Sequence, residues 1–168
     1  MRFGNDFYQR DALEVASNLI GQSLVRVFKD GCKNKYVISE VEAYGGEDDL
    51  ACHASKGRTS RTEIMYHEGG HVYVYLIYGM YWMLNFVTSI KNVPQAVLIR
   101  GFKGIDGPGK ITMELGINRS FYGENLATSE RMWVEKREET VSYKTYPRIN
   151  IDYAGEVWKK KQWRYVLV

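Results

Sequence analysis

The stretch that decides the fold is GGHVYVYLIYGMYWMLNFV, residues 69–87. Apolar and aromatic side chains alternate on both sides of Gly79, and this alternation predicts two antiparallel strands joined by a turn. The turn, Tyr78-Gly79-Met80, carries large side chains where a hairpin turn in contact with water is ordinarily polar. Two interpretations stay open: a turn buried under another element, which the pattern alone favours, or an exposed wedge of the kind that separates stacked bases.

The composition is typical of one globular domain covering residues 1–168. Of the 168 residues, 45% are hydrophobic and 26% are charged, and a chain of this length buries enough surface to fold without a metal or a disulfide. The net charge of +3 suits an anionic partner but does not identify one. Cys32 and Cys52 match no disulfide or metal spacing and indicate a reducing compartment. The N-terminus lacks an apolar signal core and the apolar run 72–87 is too short for a membrane span, so we expect no membrane partner.

Hydrophobic periodicity predicts the remaining elements. Residues 11–20 place their apolar side chains on one helical face before Gly21, which predicts a helix. Residues 23–28 and 34–44 predict a second hairpin, and residues 96–100 predict a strand that ends on Arg100. Further elements are predicted as a helix over 110–115 that stops at Gly116, and strands over 132–137, 147–151 and 163–168.

Two acids fall on one face of the predicted strand 34–44. Alternation places Tyr36, Ile38, Glu40, Glu42 and Tyr44 together, and Val37, Val41 and Ala43 opposite them. Solvated acids on an exposed face are the interpretation that the pattern alone favours. The alternative is a carboxylate at the wall of a pocket, ready to accept a proton. The acids 47–49 follow, where negative charge favours the start of a short helix, and His53 would lie on that helix or just beyond it.

The segment GIDGPGKI, residues 104–111, nearly matches a phosphate-binding loop. We exclude that function because Ile111 stands where the metal-binding hydroxyl belongs, and because Pro108 lacks a backbone N–H. Lys110, at the start of a predicted helix, is suited to hold a single backbone phosphate instead. The three histidines and Cys52 match no standard zinc spacing, so no metal site is predicted.

Eight motifs follow one another in a familiar order over nearly the whole chain. They are LIGQSLVR, EVEAYGGEDDLACH, GRTSR, GGHVYVYLIYGMYWMLN, VLIR, GPGK, LGINRSF and PRINI with the closing W-RY. Together they resemble the alkyladenine (3-methyladenine) DNA glycosylase family. The fold we predict is α+β: a single domain in which a curved, open-barrel-like antiparallel sheet carries a few helices and a protruding hairpin.

The resemblance implies a monofunctional enzyme that flips alkylated or deaminated purines out of double-stranded DNA and hydrolyses the N-glycosidic bond, leaving an abasic site. Glu42 corresponds to the carboxylate that activates water, and Arg100 to an arginine beside that water and the DNA backbone. Tyr78 corresponds to the side chain that fills the gap in the base stack. The other matching positions are Tyr44, His53 and Tyr75 around the flipped base, Asn85 against the exocyclic amine of guanine, and Met80 and Lys110 at the DNA backbone.

The two tyrosines of that set suit a charged base. Purines alkylated at a ring nitrogen, such as 3-methyladenine, are cationic, and the faces of Tyr44 and Tyr75 would favour them by roughly 0.5–2 kcal/mol. Neutral lesions such as hypoxanthine would also need a proton donor, which the sequence does not identify. No cofactor is implied. We expect a monomer in the cytoplasm, at the nucleoid, of a prokaryote or in the nucleus of a eukaryote.

The sequence also departs from the family pattern. Only residues 101–106 separate VLIR from GPGK, where the family has a longer segment with a helix, and this shortens one wall near the expected active site. Thr62 and Gln162 replace an asparagine and a proline of the pattern. Two alternatives from other classes stay open: a catalytically inactive DNA-binding module of the same fold, and a nucleotide hydrolase built on the loop 104–111.

Overall fold

An open sheet of nine antiparallel strands forms the body of the computed structural model, which describes all residues from Met1 to Val168. Its strands are β1 (Ser23–Val27), β2 (Lys33–Tyr44), β3 (Val72–Ile77), β4 (Tyr81–Thr88), β5 (Gln95–Phe102), β6 (Ile105–Asp106), β7 (Met132–Glu135), β8 (Tyr143–Tyr146) and β9 (Arg164–Leu167). The main path runs β3-β4-β5-β2-β1-β7; β6 pairs with β5, and β9 joins β2 to β8. The α+β prediction, with an open antiparallel sheet and few helices, is therefore confirmed.

The helices are short and lie around this sheet. They are α1 (Asn5–Tyr8), α2 (Ala12–Leu19), α3 (Pro108–Leu115), α4 (Gly155–Lys159) and four 3₁₀ turns at His53–Lys56, Glu63–Tyr66, Arg119–Phe121 and Asp152–Ala154. No helix has the length and apolar character that crossing a membrane requires. The largest core cluster lies between the sheet and the apolar faces of α2 and α3. It draws side chains from near both ends of the chain; that residues 1–168 form a single domain stays a prediction.

The two predicted helices are present, and the residues at their ends explain their bounds. The carboxylate of Asp11 caps α2 by accepting the N–H of Leu13 at 2.9 Å. Helix α3 begins two residues earlier than predicted, because Pro108 fits the first turn of a helix. It ends at Gly116, whose φ of +61° is the left-handed conformation that glycine adopts without strain.

The face prediction for strand β2 is wrong in its first half. Ile38 packs in the main core with Val41 and Ala43, although alternation placed it with Glu40 and Glu42. The reason is a β-bulge, seen as shifts in the pairing register with β5 between Ile38 and Val41. A bulge adds one unpaired residue and reverses the side-chain alternation beyond it, which a strict period of two does not describe.

Two further predictions fail where side chains have long-range partners. Residues 147–151 form no strand. Instead, Arg148 and the backbone N–H of Ile149 bind the end of β2 and the turn after it. The acids 47–49 form a turn rather than a helix start; Asp49 is buried and accepts the N–H groups of Gly45 and Ala51. Strand β8 was not predicted.

Candidate active site

Glu42 lies near the end of β2 and is fully buried. Its Oε1 is 3.1 Å from Nη1 of Arg100, and its Oε2 accepts the backbone N–H of Ile149 at 2.7 Å. Burial raises the pKa of Glu42, because a desolvated carboxylate is costly; Arg100, the Ile149 N–H and Arg148 act in the opposite direction. The carboxyl group is thus held by donors on both oxygens, in a place from which water is largely excluded.

Arg100 connects two carboxylates on neighbouring strands. Besides its contact with Glu42, its Nε lies 3.2 Å from Oε1 of Glu40, and the same oxygen lies 3.2 Å from Nη1 of Arg164 on β9. Strand β5 runs two residues past Arg100, so this side chain projects from within the sheet rather than from a strand end. The bulge in β2 puts Glu40 and Glu42 on the side where both can reach it.

An open cavity lies close to Glu42. It adjoins the carboxylate through Tyr44, whose hydroxyl is 3.5 Å from Oε1 of Glu42. The lining residues are Tyr44, Ala51, Cys52, His53, Met65, Tyr73, Tyr75, Asn85, Ala96 and Tyr153. The structure brings together around one cavity all four residues expected at a flipped base, namely Tyr44, His53, Tyr75 and Asn85; that they contact a base stays a prediction.

His53 is a neutral member of this lining. Its Nδ1 lies 2.9 Å from the hydroxyl of Tyr73, and its ring packs on the ring of Tyr75 with centroids 4.5 Å apart. Burial, together with the nearby charges of Arg61 and Lys56, lowers the pKa of His53 to about 4. At neutral pH the imidazole is therefore uncharged and offers one hydrogen-bond donor and one acceptor.

The hairpin that supplies Tyr75 and Asn85 also carries an exposed turn. Tyr78 is 87% exposed and Met80 is 64% exposed, which rules out the buried interpretation of this turn. Tyr78 and Gly79 both have positive φ, 51° and 65°, as the central residues of a type I′ turn do. The N–H of Met80 closes the turn on the carbonyl of Ile77.

Lys110 is exposed in the first turn of α3, which packs against the second strand of the hairpin. The contact is close: a Cβ on Gly109 would lie 3.0 Å from the ring of Tyr81, and Thr112 donates its hydroxyl to the carbonyl of Trp82 at 2.7 Å. A cation is therefore placed beside the end of the hairpin that carries the exposed turn.

Comparison with known proteins decides the family. A sequence model of the family described as Methylpurine-DNA glycosylase (MPG) matches residues 6–107 and 103–168. The chain belongs to the methylpurine-DNA glycosylase family. Proteins named "Putative 3-methyladenine DNA glycosylase" are similar to it along nearly their whole length. The one from Methanocella arvoryzae is 41% identical over 95% of this chain and 89% of its own, and the one from Natranaerobius thermophilus is 38% identical over 99% and 96%. The one from Rickettsia rickettsii is 41% identical over 96% and 87%.

The two family matches meet at residues 103–107, inside the short connection between β5 and α3. Here the chain has a tight turn: Phe102 pairs with Ile105, and Gly104 takes a φ of +90°. A helix would not fit into so few residues, which agrees with the shortening noted in the sequence.

The most important residues that the sequence did not predict are Asp49 and Arg148. The buried guanidinium of Arg148 makes a bidentate ion pair with Asp49, at 2.5 and 2.9 Å, and donates to the carbonyl of Ala43 at 3.1 Å. Arg148 directly precedes Ile149, whose N–H binds Glu42. An arginine inside the segment PRINI was the only sign of this pair in the sequence.

No group of three or more His, Cys, Asp or Glu side chains in the structure is arranged to hold a metal ion. His53 is engaged with Tyr73, whereas His67 and His71 lie together with ring centroids 5.7 Å apart. The carboxylates of Glu40 and Glu42 are both occupied by arginines. Charge-assisted hydrogen bonds between these carboxylates and arginines therefore dominate the polar contacts of the site.

Proposed function

We propose that the protein is a monofunctional DNA glycosylase that flips a damaged purine out of double-stranded DNA and hydrolyses its N-glycosidic bond, leaving an abasic site. Alkylated and deaminated purines are the substrate class, and the protein acts as a monomer without a cofactor. The observation that carries this proposal is a fully buried carboxylate, Glu42, which is held by Arg100 and lies 3.5 Å from the hydroxyl of Tyr44 in the lining of an aromatic cavity. Family membership agrees with it.

The cavity suits a planar base. Tyr44 and Tyr75 offer ring faces, while His53 and Asn85 offer the few polar groups that fix orientation. The side-chain N–H of Asn85 donates to the carbonyl of Tyr73 at 3.2 Å, which holds its amide in place. Taking a base out of the stack costs a few kcal/mol. Insertion of the exposed Tyr78 into the vacated space would offset part of that cost.

The chemistry assigned to Glu42 follows from its position. In the ionised form it can take a proton from water attacking C1′ of the sugar and stabilise the positive charge that develops on the sugar. Arg100 and the Ile149 N–H favour the ionised form that this role requires. A cationic alkylated base is a good leaving group and needs no proton from the protein. For a neutral base, His53 does not supply the proton as an imidazolium at neutral pH, because its pKa lies near 4.

The test uses a duplex with one hypoxanthine or one 3-methyladenine. Wild-type protein should release the base in a single-turnover reaction, and Glu42→Gln should release it at least about a hundredfold more slowly, because the amide cannot accept the proton. Binding of the lesion duplex should be retained. Release at equal rates by both proteins would remove Glu42 as the base, and binding without release by wild type would indicate the inactive DNA-binding module.

A further inference from the structure

Two of the tyrosines that line the cavity, Tyr44 and Tyr75, each contact an arginine. The guanidinium carbon of Arg148 lies 4.9 Å from the ring centroid of Tyr44, and that of Arg61 lies 5.0 Å from the ring centroid of Tyr75. Neither arginine lines the cavity. Each cation therefore contacts its tyrosine from outside the space that a base would occupy.

The two arginines differ in how their charge is balanced. Arg148 is buried and neutralised by its bidentate ion pair with Asp49. Arg61 is exposed, and its contacts are the ring of Tyr75 and the hydroxyl of Tyr73 rather than a carboxylate. In the same loop, Arg58 is paired bidentately with Glu63. Arg61 thus places an uncompensated positive charge against one aromatic wall.

An uncompensated cation changes what that wall prefers. An aromatic ring attracts a cation through its electron-rich π-system. A guanidinium already bound to the ring competes for this attraction and also repels a second positive charge. We propose that Arg61 is a specificity-determining residue: acting through Tyr75, it shifts the cavity away from cationic alkylated purines and toward neutral purines such as hypoxanthine. This inference rests on the proposed function, and it narrows the substrate class of the same site.

The charge of Arg61 also acts on His53, which lines the cavity. Arg61, with Lys56, adds to the effect of burial in lowering the pKa of His53, so a positive charge on the lining is disfavoured where a cationic base would lie. The expectation drawn from the sequence, that two free tyrosine faces favour a cationic base, therefore holds less well for the wall at Tyr75.

The experiment compares two lesions in one protein. Single-turnover release of 3-methyladenine from a methylated duplex and of hypoxanthine from an otherwise identical duplex are measured for wild type, Arg61→Gln, Arg61→Lys and Arg58→Gln. The ratio of the two rate constants, cationic over neutral, should rise by about tenfold in Arg61→Gln. Arg61→Lys keeps the charge and should keep the ratio within about twofold of wild type. Arg58→Gln is the matched control in the same loop, and its ratio should not change.

Three results would overturn the inference. The first is an unchanged ratio in Arg61→Gln, including the case in which both rates fall in parallel with DNA affinity, since Arg61 would then serve only the DNA backbone. The second is the same change in Arg61→Lys as in Arg61→Gln, which would assign the effect to the shape of the side chain rather than to its charge. The third is a wild type that releases neither base, and this result alone would overturn the proposed function as well. Thermal unfolding of each variant verifies that it is folded.

Discussion

At the scale of single residues, the site shifts the pKa values of two titratable groups away from their values in solution. Burial raises the pKa of Glu42 and lowers that of His53, because both charged forms lose hydration. Only Glu42 has cationic and N–H partners to offset this loss. The site can therefore combine a negative charge on Glu42 with a neutral imidazole at His53.

His53 gives the protein a specific dependence of stability on pH. Its pKa is about 4 in the folded protein and 6.5 in its ordinary state, so between these values the unfolded chain binds a proton that the folded chain does not. The free energy of unfolding should therefore fall as the pH is lowered from 6.5 to 4, by up to about 1.4 kcal/mol per pH unit from this group. Urea unfolding across this range should show a smaller loss for His53→Gln than for wild type. Equal losses of unfolding free energy in the two proteins would show that His53 is not the group responsible.

At the scale of elements, the Asp49–Arg148 ion pair fixes how a loop meets a strand. It joins the turn after β2 to the segment before the last 3₁₀ turn, and it thereby holds the Ile149 N–H on Glu42. The Nε of Arg148 has no hydrogen-bond partner although it is buried. A buried cation with an unused donor is costly and contributes little to stability, so its role in holding Ile149 against Glu42 is the better reason for its presence.

The variant Arg148→Lys tests this role. A lysine cannot span both oxygens of Asp49 and the carbonyl of Ala43, so the Ile149 N–H should lose its position and base release should slow by about tenfold or more. Affinity for the lesion duplex should stay within about twofold, and the acid limb of the pH–rate profile should move to higher pH because Glu42 loses stabilising partners. A fall in thermal stability with an unchanged pH profile would assign the pair to folding alone.

A matched control for this variant is Arg131→Lys. Arg131 also forms an ion pair, with Glu124, and also packs on an aromatic ring, that of Phe121. None of these residues lines the cavity. This substitution should lower stability and leave the pH profile unchanged.

The elements that the sequence predicted well are those set by local pattern. The hairpin 72–88 and helix α2 have a clear period, and Gly116 marks the end of α3 through its left-handed backbone. The bulge in β2 has no local signature, because one unpaired residue is tolerated only through pairing with β5. The contact of Ile149 with Glu42 spans 107 residues of sequence, and no periodicity describes a contact of that kind.

The residues of the candidate site also fall into a group that the sequence predicts and a group that it does not. The residues around the cavity could be placed from motifs, whereas the side chains that hold them could not. Glu40, Asp49 and Arg148 act through distances and burial that exist only in the folded chain. The charge of Arg61 next to Tyr75 likewise depends on how the loop 57–62 folds back over the hairpin.

At the scale of the whole molecule, a net charge of +3 is small for a protein that binds DNA, so the position of its cations matters more than their number. We expect the logarithm of the affinity for undamaged duplex to fall linearly with the logarithm of the salt concentration, since each phosphate contact releases counterions. Lys110→Gln should reduce the magnitude of that slope by about 1. Lys35 provides the control. It lies at the start of β2 and pairs with Glu135 on β7. An equal reduction in Lys35→Gln would show that the slope reports net charge rather than a contact.

The left-handed backbone at Tyr78 implies a conflict between folding and activity in this hairpin. A bulky side chain at φ 51° is disfavoured by about 1 kcal/mol, whereas Asn-Gly is the pair that such a turn prefers. Tyr78→Asn should therefore raise the melting temperature while weakening capture of a lesion in duplex DNA, with little effect on binding to single strands. The hairpin would then be an example of a turn in which the sequence optimal for folding and the sequence optimal for function differ at one position, and selection for heat resistance alone would remove the aromatic ring.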